Sequence, residues 1–455
     1  MPRQSPPAKD RAAAKPQYAR KFVFIGASFK FDHRVVRDFL LTQRFDGSTF
    51  AVVDIKPEPL KLVTDLTRRM VRQSGQDVKI VGTLELDEAL AGADFVFPSF
   101  SVGGDPATEQ DAAIAWKYGF VCPVADTIGP PGLSRALREV PVVVDIAQRL
   151  HRLSPRGRIV NFSNPLSVLT AAMARHSAVP VVLGLCHAVV GVRDFLAKLY
   201  RVDPARMEVL TAGVNHLTWV VRVLVDGQDH TARLDGVLDR ATESKGHVAD
   251  FEIQHFKTSL EIRRRYGFLP VAGDTHVGEF FAQFTRRGSC EVKRLGLKPR
   301  RNLGRGRAKL EGILRDWAYR QPVVPDMEKW SGEDAHSVVL AMLDGNHTRH
   351  TVNMPHDGAL GPGIAPGALV ECAAALDRRG PRGVPLGELP PLVRALTQRL
   401  NAVHDFSIAA ALEGDRKKAL QALLLDPSVA QFDCLPQMLE DYLRAYKQDL
   451  PRFWR

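Results

Sequence analysis

The run VVLGLCHAVVG, residues 181 to 191, interrupts an apolar stretch with a thiol and an imidazole, Cys186 and His187. Thirty positions after the cysteine, TAGVNH closes a second apolar run on Asn215 and His216. A thiolate and an imidazole suit a borderline divalent cation, and a site with so few protein ligands keeps positions open for substrate oxygens. Taken alone, a cysteine at the end of a buried strand reads as a small hydrophobe. The second pair turns the reading toward a metal, because Cys186, His187, Asn215 and His216 can meet at one sheet edge.

Three further stretches carry chemistry. KFVFIGASF, followed by a helical pattern, sets Gly26, Ala27, Ser28 and Phe29 in a strand-to-helix turn, and Asp54 closes the next apolar run. This is the layout of a dinucleotide site, where a tight turn admits a pyrophosphate and an acid accepts from a ribose hydroxyl. The second glycine of G-x-G is missing, replaced by Ser28 or deleted, and a ligand-free turn explains the stretch equally well. NFSNPL places Asn161 and Asn164 before Pro165, as a helix cap or as ligand-facing amides. GFLPVAGDTHVGEFF sets Asp274, His276 and Glu279 between apolar flanks, as site groups or as a capping pair and a capping-box acid.

The elements that must position these residues are legible as alternation. From Lys21, short β-rich runs (KFVFIGA, FAVVDI, VKIVGT, DFVFPSF, RIVNFSN, VPVVLGLC) alternate with amphipathic helical patterns, which predicts a doubly wound parallel α/β sheet. Asp32 is placed to cap the first helix, and Pro57 opens the second at a position needing no N–H. Cys186 then ends the sixth strand, at the carboxyl edge where such sheets bind ligands. Beyond a helix near 190 to 201, MEVLTAGV and LTWVVRVLVDGQD read as strands of a mixed sheet, followed mostly by helices. The predicted organisation is a disordered basic arm at 1–20, a Rossmann-like nucleotide-binding domain at 21–190, and a mixed α/β domain at 191–455.

Composition narrows the class. A chain of 455 residues, 45% hydrophobic and 25% charged, is ordinary for a globular protein. The net charge of +11 is localised: residues 1–21 hold six basic and one acidic side chain, and residues 286–320 hold twelve and three. A solvated tail and a solvated helix account for such patches better than a nucleic-acid footprint. The cysteines at 122, 186, 290, 372 and 434 show no paired spacing, so neither a disulfide framework nor a structural zinc site is expected, and a reducing, cytoplasmic setting is. No secretory signal and no membrane-spanning stretch is read.

Together and in this order, the blocks KYGFVCPVADTIGPPGLSRALREVPVVVDI, RIVNFSNP, GLCH, AGVNH, GDTHVGEFF, VNMPHDGALGPGIAPGALVE and AALEGDRKKALQALLLDP resemble glycoside hydrolase family 4. The resemblance runs from about Lys21 to about Val429. It implies a fold shared in outline with malate dehydrogenase-like enzymes, NAD and a divalent metal, usually manganese, as cofactors, a small-molecule glycoside as substrate, and a homodimer or homotetramer. By position in the family's motifs, Cys186 and His216 inherit the metal and Asn164 a substrate contact, with Asn215 and His276 beside them. His356 stands where the family usually has an asparagine, a change expected at the rim of the site.

The mechanism implied by the resemblance oxidises sugar carbon 3 transiently, removes the acidified carbon 2 proton, expels the aglycone, adds water and returns the hydride. No flanking pair of carboxylates is needed. Asp274 is the candidate base, His187 the group that protonates the leaving aglycone, and Tyr266 an alternative acid or base. GDTH resembles the uronidase-like and galactosidase-like branches, so an α-linked hexuronide is expected, with an unphosphorylated α-hexoside next. Two competing readings are a non-catalytic NAD-binding sugar sensor and a net NAD-dependent dehydrogenase.

Overall fold

The computed structural model describes residues 17–243 and 256–455; most of the basic arm expected at 1–20 lies outside the described residues. The strands are β1 (Lys21–Ile25), β2 (Ser48–Val53), β3 (Val78–Thr83), β4 (Phe95–Pro98), β5 (Arg158–Asn161), β6 (Val182–Gly184), β7 (Met207–Val214), β8 (Leu217–Val225), β9 (Gln228–Asp229), β10 (Arg349–Pro355), β11 (Leu369–Asp377) and β12 (Gly380–Gly383). They form one sheet in the order β3-β2-β1-β4-β5-β6-β10-β11-β7-β8-β9, with β12 on β11. The first six are parallel in the order of a Rossmann fold, and every pairing from β6–β10 onward is antiparallel.

The apolar runs read as strands because both faces of the parallel half are covered. Along β1, Phe22 and Phe24 enter one core with Phe39, Phe50 and Phe97, while Val23 and Ile25 enter another with residues of the helix Gly129–Leu153. Phe22 and Phe39 lie 5.0 Å apart between ring centroids, and Phe24 and Phe97 5.1 Å, which fixes the first helix against the sheet. Pro57 is the first residue of the helix Pro57–Ser74, as its missing N–H predicts.

One expectation is extended and one is corrected. The region after β9 is mostly helical, as expected, but β10, β11 and β12 lie there as well, and LVECAAALD shows no alternation because β11 is buried along nearly its whole length. Asp32 does not cap its helix from outside; it is the first helical residue, with Phe31 at the cap position. The boundary drawn near 190 falls at the helix Ala188–Tyr200, where the sheet changes from parallel to antiparallel. Hydrogen bonding continues across it through Asn353 and Gly184. The helices Pro391–Glu413 and Leu435–Ala445 return to pack on the N-terminal half. Among the described residues, no helix is long and apolar enough to cross a membrane.

Candidate active site

Asn215 and His216 are the two turn residues of the β7–β8 hairpin, since Val214 pairs with Leu217. His216 adopts a left-handed φ of 64°, a conformation rarely held by a bulky side chain unless its surroundings enforce it. They do. The buried ring stands edge-on to His276 at 4.3 Å, and its Nδ1 lies 3.1 Å from the Thr127 hydroxyl. That hydroxyl gives its single proton to Asp126 Oδ1 at 2.7 Å. It can therefore only accept from His216, which puts the ring proton on Nδ1 and leaves the Nε2 lone pair free. Asp126 Oδ2 in turn accepts from the Asn164 amide at 3.4 Å, and Asn164 Oδ1 accepts from Leu166 N–H at 3.2 Å, so Asn164 both closes the turn around Pro165 and joins the cluster.

Cys186 sits beside this hairpin. Burial and the Glu371 carboxylate push its thiol up to about 12, against hydrogen bonds from Ala188 N–H and the Asn215 side chain. Glu371, on β11, accepts from Asn215 at 3.2 Å, Asn353 at 2.7 Å and Thr218 at 2.5 Å, tying β7, β8 and β10 together under the turn. Asn215 Oδ1 is buried without a partner. A thiol, an imidazole with its second nitrogen held by a hydroxyl, and an orphaned amide oxygen fit a divalent cation with open positions. Among the described residues, no three of His, Cys, Asp and Glu form a closed cage. His187 is exposed, with Nδ1 3.5 Å from Glu333 Oε2, and that hydrogen bond raises its pKa.

Around the hairpin, the helix Asp274–Gly278 divides its residues. His276 turns to His216, burial lowering its pKa. Asp274, two positions earlier and so on another face, accepts from Ser259 N–H at 3.1 Å at the start of the helix Lys257–Tyr266. Burial lifts its carboxyl to about 6, and its Oδ2 has no partner. Glu279 is not a capping-box acid: the five-residue helix ends before it, and its buried carboxylate accepts from Val124 N–H at 2.7 Å and Ala125 N–H at 2.9 Å. It thereby fixes the loop that carries Asp126 and Thr127. Tyr266 ends its helix about 10 Å along the axis from Ser259, where its hydroxyl accepts from Gln283 at 3.0 Å and its ring packs 4.9 Å from Phe281. His356 holds its own loop, accepting from Leu360 N–H at 3.2 Å.

At the other end of the cleft, the turn after β1 fits a dinucleotide at one point and lacks a donor at another. Gly26 has φ 120°, and a Cβ there would lie 2.7 Å from Phe100 Cβ, so only glycine lets the chain pass. Asp54 directly follows β2, with one oxygen accepting from Lys56 N–H at 2.7 Å, and Ile55 beside it is 90% exposed. Ser28 N–H, however, donates to the buried Asp32 carboxylate at 3.0 Å, and Asp32 also accepts from Ser99 Oγ at 2.9 Å.

The structure thus gathers Cys186, His187, Asn215, His216, His276 and Asn164, sets Asp274 on an adjoining face, and holds Tyr266 apart. It adds Asp126, Thr127, Glu333 and Glu371, and Arg300, whose charge acts on His276 and Glu279 and whose buried Nε has no partner. Asp126 and Thr127 stood in VADTIGPP just before a Gly-Pro helix start, the signal that marked Asn164. Nothing in the sequence marked Glu333.

A Rossmann-type parallel sheet continued by antiparallel strands defines a protein of the nucleotide-binding α/β class. Family models match residues 21–202, as family 4 glycosyl hydrolase, and residues 211–429, as its C-terminal domain; the chain belongs to that family. It is 29% identical, over 95% of its length and 98% of the relative's, to a Bacillus subtilis (strain 168) protein named as a probable 6-phospho-β-glucosidase. An α-galacturonidase of Lachnoclostridium phytofermentans is 27% identical over 81% of this chain and 83% of its own. A 6-phospho-α-glucosidase from gut microorganisms, solved with NAD and Mn2+, superposes with a TM-score of 0.81 at 19% identity, covering 95% of this chain and 99% of that one, a likeness of fold.

Proposed function

We propose that this chain is an NAD- and manganese-dependent glycosidase acting on an α-linked hexuronide. The observation that carries the substrate class is Arg300: its buried Nε has no hydrogen-bond partner, its charge reaches His276 and Glu279, and an arginine fork pairs a sugar carboxylate in two parallel hydrogen bonds. The α-galacturonidase relative and the GDTH block support the same choice.

When bound, NAD and the cation supply reversible hydride acceptance at carbon 3 and polarisation of the carbon 2 and carbon 3 oxygens. Cys186 and His216 hold the cation, and Asn164, Asn215 and His276 orient the sugar. Gly26, Ala27, Ser28, Phe29 and Asp54 receive the dinucleotide. Asp274, with a carboxyl near 6 and a buried, unpartnered Oδ2, takes the carbon 2 proton. His187, held by Glu333, delivers a proton to the departing aglycone; Tyr266, bonded to Gln283 and packed on Phe281, has no part in the step. Asp126 is a second reading for the base, favoured by its bond to Asn164 inside the cluster.

The test is a panel of chromogenic α-hexuronides, α-galactosides and 6-phosphoglycosides with NAD, manganese and a reductant, run in deuterated water. The expected outcome is the highest kcat/KM on the hexuronide, deuterium at carbon 2 of the released sugar, and no build-up of NADH. Preference for a 6-phosphoglycoside refutes the substrate class. An unlabelled carbon 2 refutes the chemistry, steady NADH accumulation selects a dehydrogenase, and binding without turnover selects a sensor.

A further inference from the structure

The turn after β1 has committed part of its backbone. Gly26 N–H is spent on Val53 O at 2.7 Å and Ser28 N–H on the buried Asp32 carboxyl at 3.0 Å, which leaves Ala27 and Phe29 N–H unbonded, and the second glycine of G-x-G is absent. A cation brought to this turn would add charge-assisted donors to the few backbone N–H groups that remain for a pyrophosphate.

The helix Leu303–Tyr319 provides one. It spans the cleft side of the parallel half: Leu303 N–H donates to Glu109 of the helix Gly104–Lys117 at one end, and at the other Tyr319 bonds Asp65 at 3.0 Å and Ala318 O accepts from Arg69 at 3.3 Å, both on the helix Pro57–Ser74. One turn in from its start, the Arg307 guanidinium lies 4.6 Å over the ring of Phe29, the residue that follows Ser28 in the turn. Its charge also reaches Asp54 and opposes the upward push of burial on that carboxyl. Arg307 is exposed, whereas Arg315 on the same helix is paired with Glu311 at 2.7 Å.

We infer that Arg307 is the cationic partner of the dinucleotide's pyrophosphate, contributed by the second half of the chain beside the backbone donors the turn retains. This rests on the NAD reading above. The guanidinium, stacked on Phe29 and facing the Asp54 side of the turn, closes over the bound pyrophosphate and gives it planar N–H donors.

The test is calorimetric titration of the full chain with NAD, ADP, NADP and adenosine, comparing wild type, Arg307→Met and Arg315→Met at two salt concentrations. The assignment predicts that Arg307→Met weakens NAD and ADP about tenfold, the scale of one charge-assisted hydrogen bond, flattens the salt dependence, and leaves adenosine unchanged. Arg315→Met, which removes the same charge from the same helix, matches wild type. Equal NAD and ADP affinity in Arg307→Met overturns the assignment. So does a loss confined to NADP, which moves Arg307 to the ribose, or a loss shared with adenosine, which marks a structural effect. A wild-type chain that binds neither NAD nor ADP overturns the cofactor reading and this assignment with it.

Discussion

Glu279 offers a measurement in which stability and site geometry move together. Its carboxylate is the acceptor for two buried backbone donors, Val124 and Ala125 N–H, and Ala125 itself holds a left-handed φ of 60° just before Asp126. Glu279→Ala strands both donors at about 1–3 kcal/mol each, so a loss of roughly 2–6 kcal/mol is expected, a large share of the roughly 5–15 kcal/mol that holds a protein folded. Glu279→Gln keeps the acceptor oxygen. Burial lifts this carboxyl from 4.5 to about 8, so in the native state at pH 7 it is about nine-tenths protonated and glutamine closely mimics its bonding; below pH 4.5, where the unfolded carboxyl is protonated as well, the two proteins should differ by less than about 1 kcal/mol. The raised pKa also sets a slope: the native state keeps a proton that the unfolded chain releases above 4.5, so stability falls as pH rises from 4.5 to 8. By pH 7 the wild type should have lost on the order of 3 kcal/mol relative to Glu279→Gln. Urea unfolding of the three proteins at pH 5, 6, 7 and 8 reads both effects, with hexuronide turnover alongside. An alanine variant within 1 kcal/mol of wild type at pH 5, or parallel pH curves for wild type and Glu279→Gln, would refute the reasoning.

Cys186→Ser should leave the thermal melt intact and abolish manganese-dependent turnover, as seen by titrating the metal. Thr127→Val, which removes the acceptor fixing the His216 tautomer, should weaken manganese roughly 10–100-fold by the same titration. If Asp274 is the base, kcat/KM rises with pH through about 6 as its carboxyl ionises; Lys257→Met, which removes a charge favouring the ionised form, should move that limb to higher pH in a pH–rate profile. Gly26→Ala meets Phe100 at 2.7 Å with φ 120° and should lower stability by about 2–4 kcal/mol in urea unfolding while abolishing NAD binding.

The parallel half was legible because strands covered on both faces are written as unbroken apolar runs, and KFVFI or VPVVLG admits few other readings. β11 was not, because its alanines pack between neighbours and carry no period. Cys186 and His216 could be found as a pair because each ends a strand on an unusual residue type. Their supports could not: Thr127 matters through one proton given to Asp126, Glu279 through two backbone donors 155 and 154 positions away, and Asp32 through a turn shorter than its motif. Arg300 and Arg307 lay in a basic segment that a solvated helix explained equally well. Only the path of that segment along the cleft distinguishes them from their neighbours.

The position of β10 between β6 and β11 has a consequence for synthesis. Arg349 follows Gly184 by 165 positions, so a ribosome adding about 5–20 residues per second leaves the β6 edge open for roughly ten to thirty seconds after that strand emerges. During that interval Val181, Val182 and Leu183, buried in the finished protein, border a row of unpaired backbone groups of the kind that recruits other strands. A chain stalled or cut anywhere before β10 carries this adhesive edge permanently. The nascent protein therefore depends on dilution or a chaperone until its own distant strand arrives, and the N-terminal half expressed alone should aggregate even though its sheet order is complete.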